Sequence, residues 1–337
     1  MPIAIDVMGG DHYPQNPVLG AVKAVTEKGI SVVLVGDEAL IKNELQGLRY
    51  DASKVEIHHT TQVVEMNESI VGAMKTKKDS SMRVCYDLHK SNHVQGVVSA
   101  GSSGAMLAIG RFVLKTIPGI DRPCISALLP SIKEKTLLVD AGANMDCTPN
   151  HLFQFAILGS LYMQYIHERK NPKIGLLNIG GEEGKGDDLT KAAYEILKKS
   201  SLNFVGNVEG KQFFDGHLDV VVCDGFSGNV LLKSVQGAAK YVGSVLKEEI
   251  KKSPLSMLGA VMMKNAFKGL KKRSDYAEFG GAPLLGLRGN GIVCHGSSNP
   301  QALLFGINFA QWAADAHLVQ RMEEKIEEHR DLLEKGL

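Results

Sequence analysis

Short apolar runs alternate with amphipathic segments along most of the chain. Eight of these runs, at 2–7, 31–36, 55–58, 94–99, 136–141, 174–179, 219–223 and 291–295, are rich in Val, Ile and Leu. They are too continuous for half-exposed antiparallel strands and predict buried parallel ones. Helices are predicted between them, over 15–28, 37–46, 80–91, 103–115, 150–168, 187–199, 226–251 and 300–334. In the segment 187–199, Asp187 and Asp188 open the first turn and Lys198 and Lys199 close the last, a polarity that suits the helix dipole. The alternation predicts a doubly wound, mostly parallel α/β sheet. No repeat, low-complexity stretch or linker divides residues 1–337, so any two lobes are expected to be interwoven within one unit.

The loops at the strand ends carry a more specific signal than the strands. Six runs lead into loops of Gly and small polar residues. They are Met8-Gly9-Gly10-Asp11-His12, Ser99-Ala100-Gly101-Ser102-Ser103-Gly104 and Asp140-Ala141-Gly142-Ala143-Asn144, then Asn178 to Gly186, Asp224-Gly225-Phe226-Ser227-Gly228-Asn229 and His295-Gly296-Ser297-Ser298-Asn299. Open α/β sheets bind ligands beyond the carboxyl ends of their strands, so the six loops are expected to converge on one crevice. Gly lets backbone amides point at an anion, and the next helix adds its dipole. The loops together predict a phosphate or carboxylate site.

Composition narrows the classes. The 337 residues carry 38 Lys and Arg against 37 Asp and Glu, a net charge of +1, which argues against a dedicated nucleic-acid binder. At 44% hydrophobic and 22% charged the chain is globular rather than disordered. Five cysteines without C-x-x-C spacing suggest reduced thiols in a cytosolic protein. The start, Met1 to Asp6, lacks the basic and apolar stretches of a signal peptide. No apolar run reaches the roughly 18 residues of a membrane span.

Several anion-binding signatures are missing. The sequence contains no G-x-G-x-x-G, no H-E-x-x-H, no EF-hand pattern and no G-x-S-x-G elbow. The loop ending at Lys185 resembles a P-loop but carries Gly186 where a magnesium-holding hydroxyl belongs. His58 and His59 would face opposite sides of a strand, which disfavours a shared metal. A phosphate-using enzyme without nucleotide or metal therefore fits better than a kinase or dehydrogenase.

The string Ile3-Ala4-Ile5-Asp6-Val7-Met8-Gly9-Gly10-Asp11-His12 resembles the opening of the bacterial phosphate acyltransferases, the acyl-acyl-carrier-protein:phosphate transacylases. The resemblance continues through Ser99 to Ala105, Asp140 to Asn144, Gly175 to Gly180, Asp224 to Val230, Phe279 to Gly286 and His295 to Ser298. These blocks span nearly the whole chain in a fixed order. Two positions depart from the family pattern: Ser103 stands where Thr is common, keeping a hydroxyl, and Tyr13 where Ala is commoner. The resemblance implies a phosphotransacetylase/isocitrate-dehydrogenase-like fold and a dimer without cofactor. It also implies transfer of a long acyl group from acyl carrier protein to inorganic phosphate. The acyl phosphate would feed a membrane glycerol-3-phosphate acyltransferase in phospholipid synthesis, from a cytoplasmic, peripherally membrane-associated enzyme.

Such a reaction needs two reactants held within attack distance, and orientation alone supplies several kcal/mol. Ser102, Ser103 and the amides of Gly101 and Gly104 are expected to cradle phosphate, with Lys185 adding charge. Gly9, Gly10 and Ser227 are expected to join the same anion-binding crevice. Asn144, Asn178 or Asn229 would donate to the thioester oxyanion. His12 would protonate the leaving thiolate. Asp6, Asp11 and Asp224 orient these donors, since like charges repel. Each has a plainer reading: the glycines as turn residues, Asp224 as a cap for a helix near Phe226, Lys185 as a solvated loop residue and His12 as a structural one.

The overall charge conceals a basic segment at 247–273. Eight basic residues stand there against Glu248 and Glu249, giving +6 locally and leaving −5 for the rest. On one helix, Leu255, Leu258, Met262, Ala266 and Leu270 would form an apolar face, with Lys264, Lys268, Lys271 and Lys272 opposite and Arg273 off pattern. Pro254 would start it. The segment is expected to lie on an anionic membrane or to dock acidic acyl carrier protein, against the plainer reading of a dimer-interface helix. Rival functions are a coenzyme A-dependent phosphate acetyl- or butyryltransferase, a nicotinamide-dependent dehydrogenase and a catalytically silent membrane-peripheral scaffold.

Overall fold

The computed structural model describes residues 1–274 and 281–328, with side-chain surroundings for 1–270 and 281–327. Phe279 and Gly280 of the blocks above, and the end of the helix predicted to residue 334, lie outside the described residues.

β1 (Ile3–Asp6) leads into α1 (Gln15–Lys28), and β2 (Val32–Gly36) into α2 (Glu38–Leu45). β3 (Val55–His59) is followed by α3 (Ile70–Thr76) and α4 (Ser81–Lys90), and β4 (Val97–Ser99) by α5 (Ser103–Leu114). β5 (Cys124–Pro130) turns back as β6 (Lys135–Val139) before α6 (Pro149–His167). β7 (Ile174–Leu177) precedes α7 (Asp188–Lys199), and β8 (Phe204–Val208) and β9 (Val220–Val222) precede the long α8 (Gly225–Lys251). Next come α9 (Pro254–Met262), α10 (Lys264–Ser274), β10 (Ala282–Leu285), β11 (Gly291–Val293), α11 (Pro300–Asp315) and α12 (Leu318–Glu328).

The eleven strands among the described residues form one sheet in the order β3-β2-β1-β4-β11-β10-β5-β6-β9-β7-β8. Its two wings are parallel, as predicted from the continuous apolar runs. The middle is antiparallel, through β11–β10, β10–β5 and β5–β6. The late strands β10 and β11 are inserted between the wings, so the two lobes are interwoven. The apolar pattern does not predict β5, β8 or β10. β10 and β5 each pair with the strand that follows and also with each other, and no local pattern encodes that remote pairing.

α6 is apolar all round because it is buried all round. Leu152, Phe155, Ala156 and Leu158 are fully enclosed, and burying each large side chain contributes about 1.5–3 kcal/mol. α1 and α11 cross at Gly20, where a Cβ would stand 2.6 Å from that of Leu303. The helix predicted over 300–334 is two helices, broken where His317 adopts φ 52°. The segment 247–273 is likewise not one helix. α8 runs to Lys251, Ser253 caps α9 with Pro254 in its first turn, and a second break falls at Met263. The stripe from Leu255 to Leu270 is therefore interrupted after Met262.

Candidate active site

Two buried carboxylates organise the loops at the strand ends. Asp6, closing β1, accepts from Ser81 Oγ and Ser99 Oγ, both at 2.6 Å, and from the Met8 amide at 3.2 Å. Ser99 Oγ in turn accepts from the Gly101 amide at 3.0 Å. Burial raises the Asp6 carboxyl above the usual carboxylate range, while these donors pull it back. Gly9 lies against the same knot: a Cβ there would stand 2.7 Å from Asp6 Oδ2 and from the Gly101 nitrogen.

Asp140 forms the second knot, just beyond β6. It accepts from the amides of Ile125, Gly142 and Ala143 at 3.1 Å, from the Asn144 amide at 2.7 Å and from Asn144 Nδ2 at 2.9 Å. Burial raises its pKa as well, against the same hydrogen bonds. The strand predicted to 141 ends at Val139 because this carboxylate turns the following amides toward itself. The first turn of α8 packs on the knot. The Gly225 amide donates to the Asn144 carbonyl at 2.7 Å, and a side chain at Gly228 would overlap the Asp140 carbonyl oxygen.

Between the knots opens a cleft of about 480 Å³. Of the residues singled out from the sequence, Asp11, Gly101, Ser103 and Asn229 line it. Ser103 is the first residue of α5, so the positive end of that helix dipole faces the space. Apolar side chains from β5 (Ile125, Ala127 and Leu129), with Leu232 and Val293, form an apolar part of the wall. One cavity thus joins a polar end at a helix amino terminus to an apolar trough.

Sequence reasoning missed Lys233 and His295, which also line the cleft. His295 Nδ1 accepts from the Ser297 amide at 3.2 Å and lies 2.8 Å from Ser297 Oγ. That acceptor role leaves the proton of the neutral ring on Nε2. Burial and the neighbouring Lys233 ammonium lower the His295 pKa, and Asp11 opposes them. The His295–Asn299 loop composition marked this region, but nothing local marks Lys233, which α8 carries in from its third turn. Cys294 also lines the cleft, but burial pushes its thiol up to about 12, so it is not a thiolate nucleophile at neutral pH.

Other singled-out residues stand outside the cleft lining. Asn144 donates both side-chain hydrogens, to Asp140 and to the Pro123 carbonyl at 2.9 Å, and so has none left for an oxyanion. Gly101 does line the cleft, but its amide is likewise committed, to Ser99. Ser102 caps α5 by accepting from the Ala105 amide, and Gly104 packs under Ile70. Asp224 caps α8, accepting from the Ser227 amide at 2.9 Å and from its hydroxyl at 2.7 Å. Gly10 sits beneath the Gly296 carbonyl, which accepts from the Asp11 amide at 2.8 Å. His12 is exposed in the turn before α1. Asn178 braces its own loop, donating to the Lys185 carbonyl at 3.0 Å, and the Lys185 side chain is exposed. Asp187 caps α7 through the Thr190 amide.

Leu255, Leu258, Met262, Lys264 and Lys268 are exposed on the arm formed by α9 and α10, while the side chains of Lys271, Lys272 and Arg273 lie outside the described ones. No helix among the described residues is long and apolar enough to cross a membrane. Nor does any group of three or more His, Cys, Asp or Glu among them converge to hold a metal ion.

A mostly parallel sheet with an antiparallel middle and a cleft at its strand ends defines a fold shared with the phosphotransacetylases. The chain superposes on a phosphotransacetylase from Streptococcus pyogenes with a TM-score of 0.63 over 94% of both chains, at 16% identity. The chain belongs to the fatty acid synthesis protein family, whose pattern it matches over residues 1–321. It is 48% identical over 332 residues to a phosphate acyltransferase of Geotalea uraniireducens, covering 98% of this chain and 96% of the relative. It is 47% identical, with the same coverage, to a phosphate acyltransferase of Geotalea daltonii.

Proposed function

We propose that this protein transfers a long acyl group from acyl carrier protein to inorganic phosphate, releasing an acyl phosphate for phospholipid synthesis. The observation that carries this reading is the pairing, in one cavity, of a polar end, with a helix amino terminus and Lys233, and an apolar trough. Phosphate sits at the amino end of α5, held by Ser103, the unengaged amides of that first turn and the Lys233 ammonium. The acyl chain lies along β5. A phosphate oxygen attacks the thioester carbonyl carbon, and Asn229, whose side chain has no hydrogen-bond partner among the described residues, donates to the oxygen as it gains charge. The carbon–sulfur bond then breaks, and the proton of hydrogen phosphate passes to the leaving sulfur, so the products are acyl phosphate and free thiol. Proximity of the two bound reactants supplies most of the acceleration. Lys185 and Asn178 serve from their loop if it folds toward the cleft, and His12 relays the proton to the thiolate.

The exposed apolar residues of α9, flanked by Lys264 and Lys268, suit a protein lying on an anionic membrane surface. A homodimer formed through the exposed face of α8 would hold that arm, and a membrane glycerol-3-phosphate acyltransferase would receive the product. The deciding assay traps acyl hydroxamate with hydroxylamine in the presence of phosphate, comparing acyl carrier protein and coenzyme A thioesters. Phosphate-dependent product from the carrier-protein donor supports the proposal; preference for short coenzyme A thioesters favours an acetyl- or butyryltransferase. No product from either donor defeats both.

A further inference from the structure

The outer face of α5 carries a second concavity, of about 570 Å³, that the reaction does not use. Met74, Leu107, Ala108 and Phe112 supply apolar surface there, and Arg111 and Lys115 supply charge. Phe112 is 52% exposed, a large aromatic ring left to solvent. Two cations lie over it: the Arg83 guanidinium 5.0 Å and the Lys115 ammonium 5.4 Å from the ring centroid. Arg83 is paired with Asp87 at 3.0 Å and Arg111 donates to the Asp121 carbonyl at 3.1 Å, but neither Arg111 nor Lys115 has a carboxylate partner among the described residues.

Lys115 is also strained. It has φ 69° and ψ 178°, a backbone region that glycine alone occupies readily, at a cost of about 1–3 kcal/mol for other residues. Its amide closes α5 on the Arg111 carbonyl, and its own carbonyl accepts from the Arg288 amide, both at 3.1 Å, which holds it in place. Glycine would satisfy that backbone better. The lysine instead adds a cation above an exposed ring.

We propose that this face is the docking surface for the acidic acyl carrier protein, a proposal that rests on the function given above. Charge complementarity selects the occupant: cations around an exposed ring, Lys115 and Arg111 among them without a carboxylate partner, suit an acidic helix with an apolar residue among its carboxylates. Geometry agrees, because α5 itself joins the two sites. Ser103 opens the helix in the cleft, and Phe112 follows nine residues later, about 14 Å along the axis. A carrier seated on Phe112 delivers its extended pantetheine arm past the amino end of α5 to the phosphate.

The test measures binding of fluorescently labelled carrier protein by anisotropy, which needs no turnover. Lys115→Gly, which relieves strain while deleting charge, is expected to weaken binding about fivefold, and Lys115→Gly with Phe112→Ala tenfold or more. Lys115→Arg retains binding. The thermal midpoint of Lys115→Gly does not fall, so weaker binding is not a folding defect. In turnover, Lys115→Gly raises KM for acyl carrier protein while an acyl-pantetheine thioester reacts as with the parent. Unchanged carrier binding in Lys115→Gly overturns the proposal, as do equal losses with both donors or a changed oligomeric state, which would indicate a second copy on this face. Carrier binding without acyl phosphate formation would instead defeat the functional reading and leave the docking surface standing.

Discussion

The two carboxylate knots and the α8–α10 arm invert each other's chemistry. At Asp6 and Asp140, charged groups are buried and surrounded by donors. Along the arm, apolar groups stand in water: Leu255 is 78% exposed and Met262 81%. A buried carboxylate is tolerable only where hydrogen bonds replace its hydration, so the knots define rigid geometry. Exposed methyl and thioether groups gain nothing from their own chain, so the arm suits a partner surface. The knots therefore serve the fold, whereas the exposed side chains of the arm add little burial to it.

Breaking the Asp140 knot should have the largest effect. Asp140→Ala leaves five donor bonds unmade in the interior, and a loss of about 3–5 kcal/mol is expected by denaturant unfolding, with turnover abolished. An Asp140→Ala protein as stable as the parent would show that the knot is not the scaffold. Next comes Lys233→Ala, which keeps the fold and removes the cation from the cleft. Its KM for phosphate should rise about tenfold, corresponding to about 1.4 kcal/mol, with less change for the acyl donor.

His167 offers a smaller test of buried polarity without partners. Burial, aided by Lys135 and Arg169, lowers its pKa from 6.5 to about 4, and its Nε2 has no hydrogen bond. The unfolded chain takes up this proton near 6.5 and the folded one only near 4, so its contribution is complete above 6.5 and lost as pH falls toward 4. His167→Gln should flatten that part of the stability–pH curve; Asp6 and Asp140, with raised pKa values, act in the opposite sense and remain. The smallest stability effect belongs to the arm. Leu258→Glu should change stability by no more than about 0.5 kcal/mol, yet abolish flotation with anionic vesicles. Equal flotation of variant and parent would remove the membrane reading.

Much of this arrangement was legible in the chain. Continuous Val, Ile and Leu runs marked the parallel wings, since strands buried on both faces need no polar alternation. Loop composition marked the cleft, and four of the residues drawn from those loops line it. The individual roles were less legible. Asn144 has the right chemistry for an oxyanion donor, but Asp140 and Pro123 already hold both its hydrogens. Asp224 and Ser227 read equally well as ligands or as a cap, and the hydrogen bonds form a cap. Lys233 carried no signal, because its loop of origin lies two helical turns earlier.

The sequence by itself determined the β-α alternation, the glycine-rich strand ends and the basic segment, because each depends on residues near one another along the chain. Tertiary structure decided the antiparallel middle of the sheet, the identity of the groups facing the cleft and the breaks that divide 247–273. It decided them because β10 and β11 join the sheet from a remote part of the chain, and because a buried carboxylate takes whichever donors the fold brings within hydrogen-bond reach.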